Sequence, residues 1–424
     1  MRILALFRDP VRDPVRGRDV SRLLKNRDFL FLMVGQFVST IGNNFYLLAI
    51  YWYVLELTHS HWDVLATGLA QTLPAVGSLF WGVWIDRWCK LSVMMWSDFM
   101  RFVVAGTLAC VTLLMAHPPM VILFLLVFAL QSLGTVFGPA ASSLLPSLVP
   151  TAEITSASGL SHAMTGAASL IGVSLGGILM VLIGPGLLFG LDAATFLVSI
   201  ASLLLIHVRE TPQRILPESF LSSWKTGFQI LWGSLWMRRL LIVAAMLNLV
   251  LVPLEMVLPQ WVRGPLRGSA ETLGWINATF LVGYVLGALL VEWTKRWSPS
   301  RIIGIAFALL GVMTGIFGQV TAGPLPYVIA GSLGIAMGVV ESTITGTLMQ
   351  TIPEQYRGRT FSSFSGVINL IAPVGMAGTE FIIAKLGMPV LFLIIGILVA
   401  ALSLIFAIPV TVPTKDSLTR IVAR

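Results

Sequence analysis

The chain has 424 residues, of which 56% are hydrophobic and only 11% are charged. Because a soluble globular chain carries roughly 25% charged residues, this composition excludes an ordinary soluble domain and indicates a membrane-embedded protein. The net charge of +8 suggests nucleic acid or an anionic membrane surface as a partner, and the position of the charges decides between them. Only two cysteines are present, Cys89 and Cys110, which is too few for a disulfide framework.

The first half of the chain contains long uncharged segments of the length that crosses a bilayer. A spanning helix needs about 20 mainly apolar residues. The basic first 28 residues contain no apolar core of a signal peptide, so we expect a tail there. An uncharged run that begins at Ile154 is too long for one span, and Gly184-Pro185-Gly186 is expected to break it. The predicted spans of this half are about 29–55, 64–85, 92–116, 119–145 and the two parts of 154–191.

The second half repeats this arrangement. Its one overlong uncharged run is expected to break at Gly323-Pro324-Leu325-Pro326. The predicted spans of this half are about 240–262, 273–291, the two parts of 302–340, 360–386 and 389–409. They bring the predicted total to twelve transmembrane helices, so the expected fold class is an all-α membrane protein.

The basic residues predict how the chain is oriented. Of the 27 Lys and Arg residues, the loops predicted to lie outside hold only Arg263, Arg267 and Lys385, and Arg101 lies within a span. Cytoplasmic loops of membrane proteins carry the excess of Lys and Arg. We therefore predict a multi-pass protein of the inner (cytoplasmic) membrane with both termini in the cytoplasm. The same distribution argues against nucleic acid as a partner, because the basic residues serve as anchors at the inner leaflet.

A polar stretch in the middle of the chain divides the spans six and six. Apolar residues at helical spacing within 220–232 predict an amphipathic helix there, with a simple linker as the alternative. The pattern of Gly134, small residues and Pro150 recurs as Gly338, small residues and Pro353, which favours two related six-helix bundles. The predicted domains are a basic tail at 1–28, a bundle at 29–208, the linker at 209–239, a second bundle at 240–412 and a tail at 413–424.

The loop between the second and third spans contains the pattern Gly82-Val83-Trp84-Ile85-Asp86-Arg87. It resembles the signature that the major facilitator superfamily carries at this loop, which is Gly, three residues, Asp, Arg and further basic residues. The resemblance implies a latch on the inner face that holds the outward-facing state. Asp98 and Arg101 lie three residues apart on one helix face, so we expect them to pair. The predicted members of this inner gate are Gly82, Asp86, Arg87, Lys90, Asp98 and Arg101.

Further segments resemble one branch of that family, the drug:proton antiporter branch that includes macrolide efflux proteins and the enterobactin exporter. The resemblance implies export of a hydrophobic or amphiphilic small molecule (a drug, macrolide or siderophore) by alternating access and proton antiport. Asn43 stands where members of the branch often carry an acidic residue, so the resemblance places no proton carrier there. The matching segments are 35–42, 52–58, 73–74, 98–101, 144–150, 188–193 and 353–359.

Two carboxyl groups lie near the predicted membrane centre. Glu255 is near the middle of the seventh span, between Pro253 and Pro259, and Glu341 is near the midplane of the tenth. An ionisable side chain in the bilayer core costs about 2.5–3.5 kcal/mol on insertion scales, so each is a functional candidate. We predict that Glu255 and Glu341 carry the coupled proton, and a structural hydrogen bond is the alternative for each.

Other polar residues at membrane depth suggest structural bonds or a cavity. Asp192, in the outer third of the sixth span, is expected to bond to a neighbouring helix, and Glu380 in the outer part of the eleventh span is expected to contact solvent. Neutral polar side chains are the candidates for the substrate cavity, with an interhelical hydrogen bond as the alternative for each. They are Asn43, Asn44, Tyr46, Gln131, Asn248, Asn277 and Asn369.

The sequence contains no motif of an enzyme or of an ATP-driven pump. It has no Gly-rich phosphate loop, no metal-ligand cluster and no nucleophile elbow, so we expect a secondary transporter without cofactors. The expected partners are a small hydrophobic or amphiphilic substrate, protons and the lipid bilayer, and the expected state is a monomer. An importer or lipid flippase of the same fold is the first alternative, and a membrane receptor or enzyme is the alternative of another class.

Overall fold

The computed structural model describes residues 23, 25–85, 88–150, 153–208, 228–291, 297–352 and 357–407. The side chains of 76–85 and of Asn369 are among those outside this description. Both predicted tails, most of the predicted linker, and Asp86 and Arg87 of the predicted latch therefore lie outside the described residues.

The described residues of the first half form five long helices, and the fifth is bent into two parts. At Gly184 the backbone of this helix leaves the helical conformation, with φ 75° and ψ 169°. Glycine adopts a positive φ without steric cost, and the Pro185 ring cannot continue the helix regularly, so the two residues together make the bend. The bend falls at the predicted boundary between two spans. The helices are α1 Arg27–Thr58, α2 His61–Ile85, α3 Lys90–Leu114, α4 Met120–Leu148 and α5 Ile154–Leu204.

Six long helices follow in the described residues of the second half. Ser269 caps the second of them, because its side chain accepts a hydrogen bond from the Thr272 backbone while the Thr272 side chain accepts one from the Ser269 backbone. Gly387, with φ 83°, makes the tight turn between the last two. The helices are α6 Leu235–Arg263, α7 Ala270–Leu290, α8 Pro299–Phe317, α9 Leu325–Thr351, α10 Arg357–Leu386 and α11 Met388–Ala407.

The outer surface of the bundle is apolar. In the part of the chain that the structure describes, nine helices are long and apolar enough to cross a membrane. Leu182 is 70% exposed, and Ile397 and Leu404 are each 68% exposed. Apolar side chains exposed in this number on a soluble protein would promote aggregation, whereas in a membrane they face lipid.

The start of α1 and the ends of α4 and α5 lie together at one face of the bundle. Asn26, which caps α1, donates a hydrogen bond from Nδ2 to the Leu148 carbonyl at 2.7 Å. The backbone N–H of His207 donates to Oδ1 of Asp28 at 3.2 Å. We call this end of the bundle the N-terminal face and the opposite end the distal face. Within each half the helices are joined by short connections, so successive helices alternate in direction between these two faces.

Glycines allow close packing of helices within each half. A Cβ atom added to Gly334 of α9 would lie 2.8 Å from the backbone nitrogen of Tyr284 on α7. In the first half, a Cβ atom on Gly35 of α1 would lie 2.9 Å from Oγ of Ser202 on α5. Membrane helices gain little from the hydrophobic effect between them, so small residues that bring backbones together supply much of the packing energy.

The two halves contact each other toward the distal face. There α5 packs against α7, and a Cβ atom on Gly177 would lie 2.8 Å from the backbone nitrogen of Gly274. On the other side of the bundle α2 packs against α10, where Oγ1 of Thr72 lies 3.6 Å from Sδ of Met376. Gly177 precedes the bend at Gly184 and Gly274 follows the start of α7, so this contact lies in the distal part of both helices.

Candidate substrate cavity

A cavity of about 380 Å³, which we call the central cavity, lies between the two halves. The first half contributes residues of α1, α2, α3 and α4 to its wall, and the second half contributes residues of α6 and α10. The wall combines polar groups with apolar surface, which is typical of sites for small molecules that are partly apolar. Its side chains are those of Asn43, Asn44, Leu47, Tyr51, Gln71, Thr72, Arg101, Gln131, Val252, Glu255 and Met376.

A second cavity of about 290 Å³, which we call the entrance cavity, lies within the first half. Leu32 and Met33 near the start of α1 and Leu145 near the end of α4 line it, so it extends to the N-terminal face. Asn43 and Arg101 line both cavities. In the described residues, the entrance cavity lies on the N-terminal side and the contacts between the halves lie toward the distal face.

Glu255 is the carboxyl group of the second half that lines the central cavity. It lies in α6 between Pro253 and Pro259, and the helix continues through both prolines. Its side chain is exposed to the cavity and forms no ion pair or hydrogen bond with the described residues. A carboxyl group at membrane depth without a fixed partner is free to exchange a proton or to bind a cationic group.

The first half contains a buried charged cluster beside the central cavity. Arg101 Nη1 lies 3.3 Å from Oδ1 of Asp98, which confirms that these two residues pair. Its Nη2 donates a hydrogen bond of 2.6 Å to Oδ1 of Asn43 on α1. The guanidinium carbon also lies 4.2 Å from the centre of the Phe196 ring on α5, a cation–π contact. Arg101 therefore joins α3, α1 and α5 through one charged group.

Asp192 lies in the same region but makes no bond to a neighbouring helix. Its side chain is completely buried, and neither carboxyl oxygen has a hydrogen-bond partner among the described residues. The expectation of a structural bond between helices is therefore wrong. The space for the Asp192 carboxyl group comes from a glycine, since a Cβ atom on Gly42 of α1 would lie 2.7 Å from Oδ1 of Asp192.

We expect that Gly42→Ala destabilises the folded protein. The added methyl group would lie 2.7 Å from Oδ1 of Asp192 and 2.9 Å from Cγ2 of Thr195, so α1 and α5 must move apart. Overpacking of this kind costs about 1–3 kcal/mol. The measurement is the melting temperature of the purified protein, followed by its intrinsic tryptophan fluorescence. Gly106→Ala is the matched control, because nothing lies within 4 Å of a Cβ atom there. A Gly42→Ala protein as stable as the control would contradict this packing account.

Three of the seven neutral residues that the sequence predicts for the cavity line it in the structure. Asn43, Asn44 and Gln131 line the central cavity. Tyr46 is buried against the Phe189 ring, 5.9 Å between ring centroids, and lines neither cavity. Among the others, Asn248 donates a hydrogen bond to the Ala244 carbonyl of its own helix at 3.1 Å, and Asn277 is half-buried outside both linings. The Asn369 side chain lies outside the described residues.

The second carboxyl group predicted to carry a proton, Glu341, is placed differently from Glu255. Its Oε2 accepts a hydrogen bond of 2.7 Å from Oη of Tyr284 on α7. The side chain is exposed and lines neither the central nor the entrance cavity. The structure therefore brings Glu255, but not Glu341, to the cavity that Arg101 also lines.

The predicted inner gate is described only in part. Lys90 begins α3, and Asp98 and Arg101 follow on the same helix. Asp86 and Arg87 lie outside the described residues, and only the backbone of Gly82 is described, so a latch at this loop stays a prediction. Arg101 has a property that the sequence did not predict, because it lines both cavities as well as pairing with Asp98.

A polar cluster at the distal face was not predicted at all. Nδ1 of His61 on α2 is hydrogen-bonded to Oε1 of Gln260 on α6, and Glu380 of α10 lies beside both residues. Glu380 is only 1% exposed, so its expected contact with solvent is wrong, because the junction of the two halves covers it. The cluster joins residues 199 positions apart, and no periodic pattern in the sequence signals a contact of that separation.

A helical bundle with an apolar outer surface, a cavity between two halves and an opening toward one face is the architecture of a membrane transport protein. The model of the Major Facilitator Superfamily matches residues 32–267 and 254–422. The chain belongs to this superfamily, and it is a multi-pass membrane transporter.

Two curated proteins that are similar to this chain belong to the branch named in the sequence analysis. Macrolide efflux protein A of Streptococcus pyogenes is 22% identical over 384 residues, which cover 89% of this chain and 94% of the relative. The enterobactin exporter EntS of Shigella flexneri is 27% identical over 366 residues, which cover 80% of this chain and 81% of the relative. These similarities confirm the resemblance to the branch that includes both kinds of protein.

The fold also matches a solved transporter structure. A crystal structure of a variant of the nucleoside transporter NupG superposes with a TM-score of 0.71 and covers 90% of this chain and 99% of its own. Its sequence identity is 13%, so the likeness establishes the fold and says nothing about the substrate.

Proposed function

We propose that this protein exports a hydrophobic or amphiphilic small molecule from the cytoplasm by alternating access, in exchange for protons. The observation that carries the proposal is the position of Glu255, which presents a carboxyl group without a fixed partner to the cavity between the halves. One such group can release its proton to bind substrate and take it up again after substrate leaves, which is the minimum requirement for antiport.

The proposed topology has twelve spans, with α5 supplying two of them and each other long helix one. It places both termini in the cytoplasm and the protein in the inner membrane, in agreement with the excess of Lys and Arg in the loops on that side. The N-terminal face is then cytoplasmic and the observed conformation is inward-facing. A substrate would enter the central cavity from the cytoplasm through the entrance cavity.

Three kinds of residue support an amphiphilic substrate. Leu47, Val252 and Met376 offer apolar surface, Asn44 and Gln131 offer hydrogen bonds, and Glu255 offers a negative charge. Arg101 contributes little free positive charge, since it is paired with Asp98. This balance favours an apolar molecule that carries a cationic group. The names of two relatives, a macrolide efflux protein and an enterobactin exporter, favour export over import.

The experiment uses the purified full chain in liposomes with ethidium as the hydrophobic cationic probe. A pH gradient is imposed in either direction, and movement of ethidium is followed by its fluorescence. We expect ethidium to move against the proton flow and to stop when an ionophore collapses the gradient. Movement in the same direction as protons would favour an importer. Ethidium movement that ignores the gradient would contradict proton coupling.

A further inference from the structure

The buried cluster of the first half has an imbalance of charge. It contains two carboxyl groups, Asp98 and Asp192, which are both completely buried, and one guanidinium group, Arg101, which is 7% exposed. The titratable and charged groups that face Asp192 are these two residues of α3 and Tyr46 of α1. If both carboxyl groups were ionised, a negative charge would stay buried without compensation, which is among the most costly arrangements in a protein.

The hydrogen bonds distinguish the two carboxyl groups. Oδ1 of Asp98 receives a hydrogen bond from Nη1 of Arg101 at 3.3 Å, whereas its Oδ2 has no partner among the described residues, so Asp98 is the carboxyl group that Arg101 compensates. The other terminal nitrogen of Arg101 is occupied by Asn43 at 2.6 Å. Asp192 receives no hydrogen bond at either oxygen from the described residues, and a carboxylate is an acceptor that a buried site must satisfy. The neutral, protonated form lowers this cost, because an unpaired neutral carboxyl group is much less costly to bury than an unpaired carboxylate.

We propose that Asp192 is a second proton-binding site, in the first half of the transporter, and that Arg101 controls its occupancy. In the observed conformation Arg101 pairs with Asp98 and Asn43, and Asp192 holds a proton. When that proton leaves, Arg101 turns toward the Asp192 carboxylate. The transport role of this site rests on the proton coupling proposed above, whereas the protonation of Asp192 is testable without transport.

Arg101 links this site to the substrate. Asp192 lines neither cavity, but Arg101 and Asn43 line both. A shift of Arg101 toward Asp192 would break its hydrogen bond to Asn43 and change the wall of the central cavity opposite Glu255. The charge on Asp192 therefore alters the cavity that the substrate occupies, and a substrate that displaces Arg101 alters the affinity of Asp192 for its proton. Such reciprocity follows from linkage between two binding sites.

The first test is infrared difference spectroscopy of the purified protein in liposomes at neutral pH. The spectrum of wild type minus Asp192→Asn should contain the carbonyl stretching band of a protonated carboxylic acid. The second variant is Asp98→Asn. Its own spectrum should lack the band that wild type has, although Asp192 is intact, because Arg101 then pairs with Asp192 and favours its ionised form. Absence of the band from the first difference spectrum overturns the proposal. Retention of the band in Asp98→Asn overturns the control by Arg101.

The second test distinguishes a loss of proton coupling at Asp192 from a loss of folded protein and from a failure of the proposed function. In the ethidium assay, Asp192→Asn should lose transport driven by the pH gradient but retain exchange of ethidium for ethidium without a gradient. Asp63→Asn, at the start of α2, is the matched control and should retain both activities. If Asp192→Asn keeps gradient-driven transport, the second site is excluded while the proposed function stands. If wild type itself lacks gradient-driven transport, the proposed function fails, and the infrared band still decides whether Asp192 holds a proton.

Discussion

Replacing Glu255 with Gln is expected to reduce ethidium transport driven by a pH gradient to the level of empty liposomes. Glutamine has nearly the same size as glutamate but cannot bind or release a proton in this range of pH. Glu255 makes no hydrogen bond or ion pair with the described residues, so its replacement by the similarly sized glutamine removes no polar contact of the fold. We therefore expect the yield and melting temperature of Glu255→Gln to match those of wild type.

The same substitution elsewhere tests whether the effect belongs to the cavity. Glu56→Gln changes an exposed carboxyl group near the distal end of α1 and should transport as wild type does. Glu341→Gln tests the other carrier that the sequence predicts; since Glu341 is bonded to Tyr284 outside both cavities, we expect a smaller effect than at Glu255. Unchanged transport by the double Gln variant of Glu255 and Glu341 would remove both residues from the mechanism.

Replacing Gly177 with Leu is expected to open the distal contact between the halves. Even a Cβ atom at Gly177 would lie 2.8 Å from the backbone nitrogen of Gly274, so a leucine cannot fit while α5 and α7 remain in contact. Overpacking costs about 1–3 kcal/mol, which corresponds to a change of about 5–150-fold in the ratio of two conformations. The variant should populate the conformation open at the distal face, and transport should fall because the return to the observed state becomes unfavourable.

The shift is measurable as a distance between spin labels on the two halves. Glu56 near the end of α1 and Glu271 at the start of α7 are exposed at the distal face and suit cysteine labelling after Cys89 and Cys110, which are both exposed, are replaced by Ser. Pulsed electron resonance should report longer distances in Gly177→Leu than in its parent. Gly106→Leu, where nothing lies within 4 Å of a Cβ atom, should leave the distances unchanged. Equal distances in Gly177→Leu and its parent would show that this glycine contact does not hold the halves together.

Most of the fold was predictable because bilayer chemistry leaves a strong signal in the sequence. Uncharged runs of spanning length predicted the positions of the helices. The bend in α5 at Gly184 follows from the permissive backbone of glycine before proline. The signature around Gly82 led to the family that the family model matches. The contact of Gly177 with Gly274 was not predictable, because a glycine within an apolar run is equally compatible with a helix that faces lipid.

The site was less predictable than the fold, because burial and pairing depend on contacts between distant residues. From the sequence, Glu255 and Glu341 were equivalent candidates, because both lie near the middle of a predicted span. The packing of α9 against α7 distinguishes them, because it gives Glu341 a hydrogen-bond partner in Tyr284. Asp192 lies in a segment typical of the branch, which suggested a structural bond, yet the neighbouring Gly42 leaves its carboxyl group without a donor. The spacing of Asp98 and Arg101 was sufficient to predict their pairing, because both lie on one helix face.

The measurement that tests proton-coupled export most directly is the pH inside liposomes that contain the purified protein and a trapped pH-sensitive dye. A gradient of ethidium is imposed while the pH is initially equal on both sides. We predict that protons move in the direction opposite to ethidium, and that Glu255→Gln abolishes this proton movement. Ethidium flux through the wild-type protein with no change in the internal pH, or with protons moving in the same direction, would contradict the account.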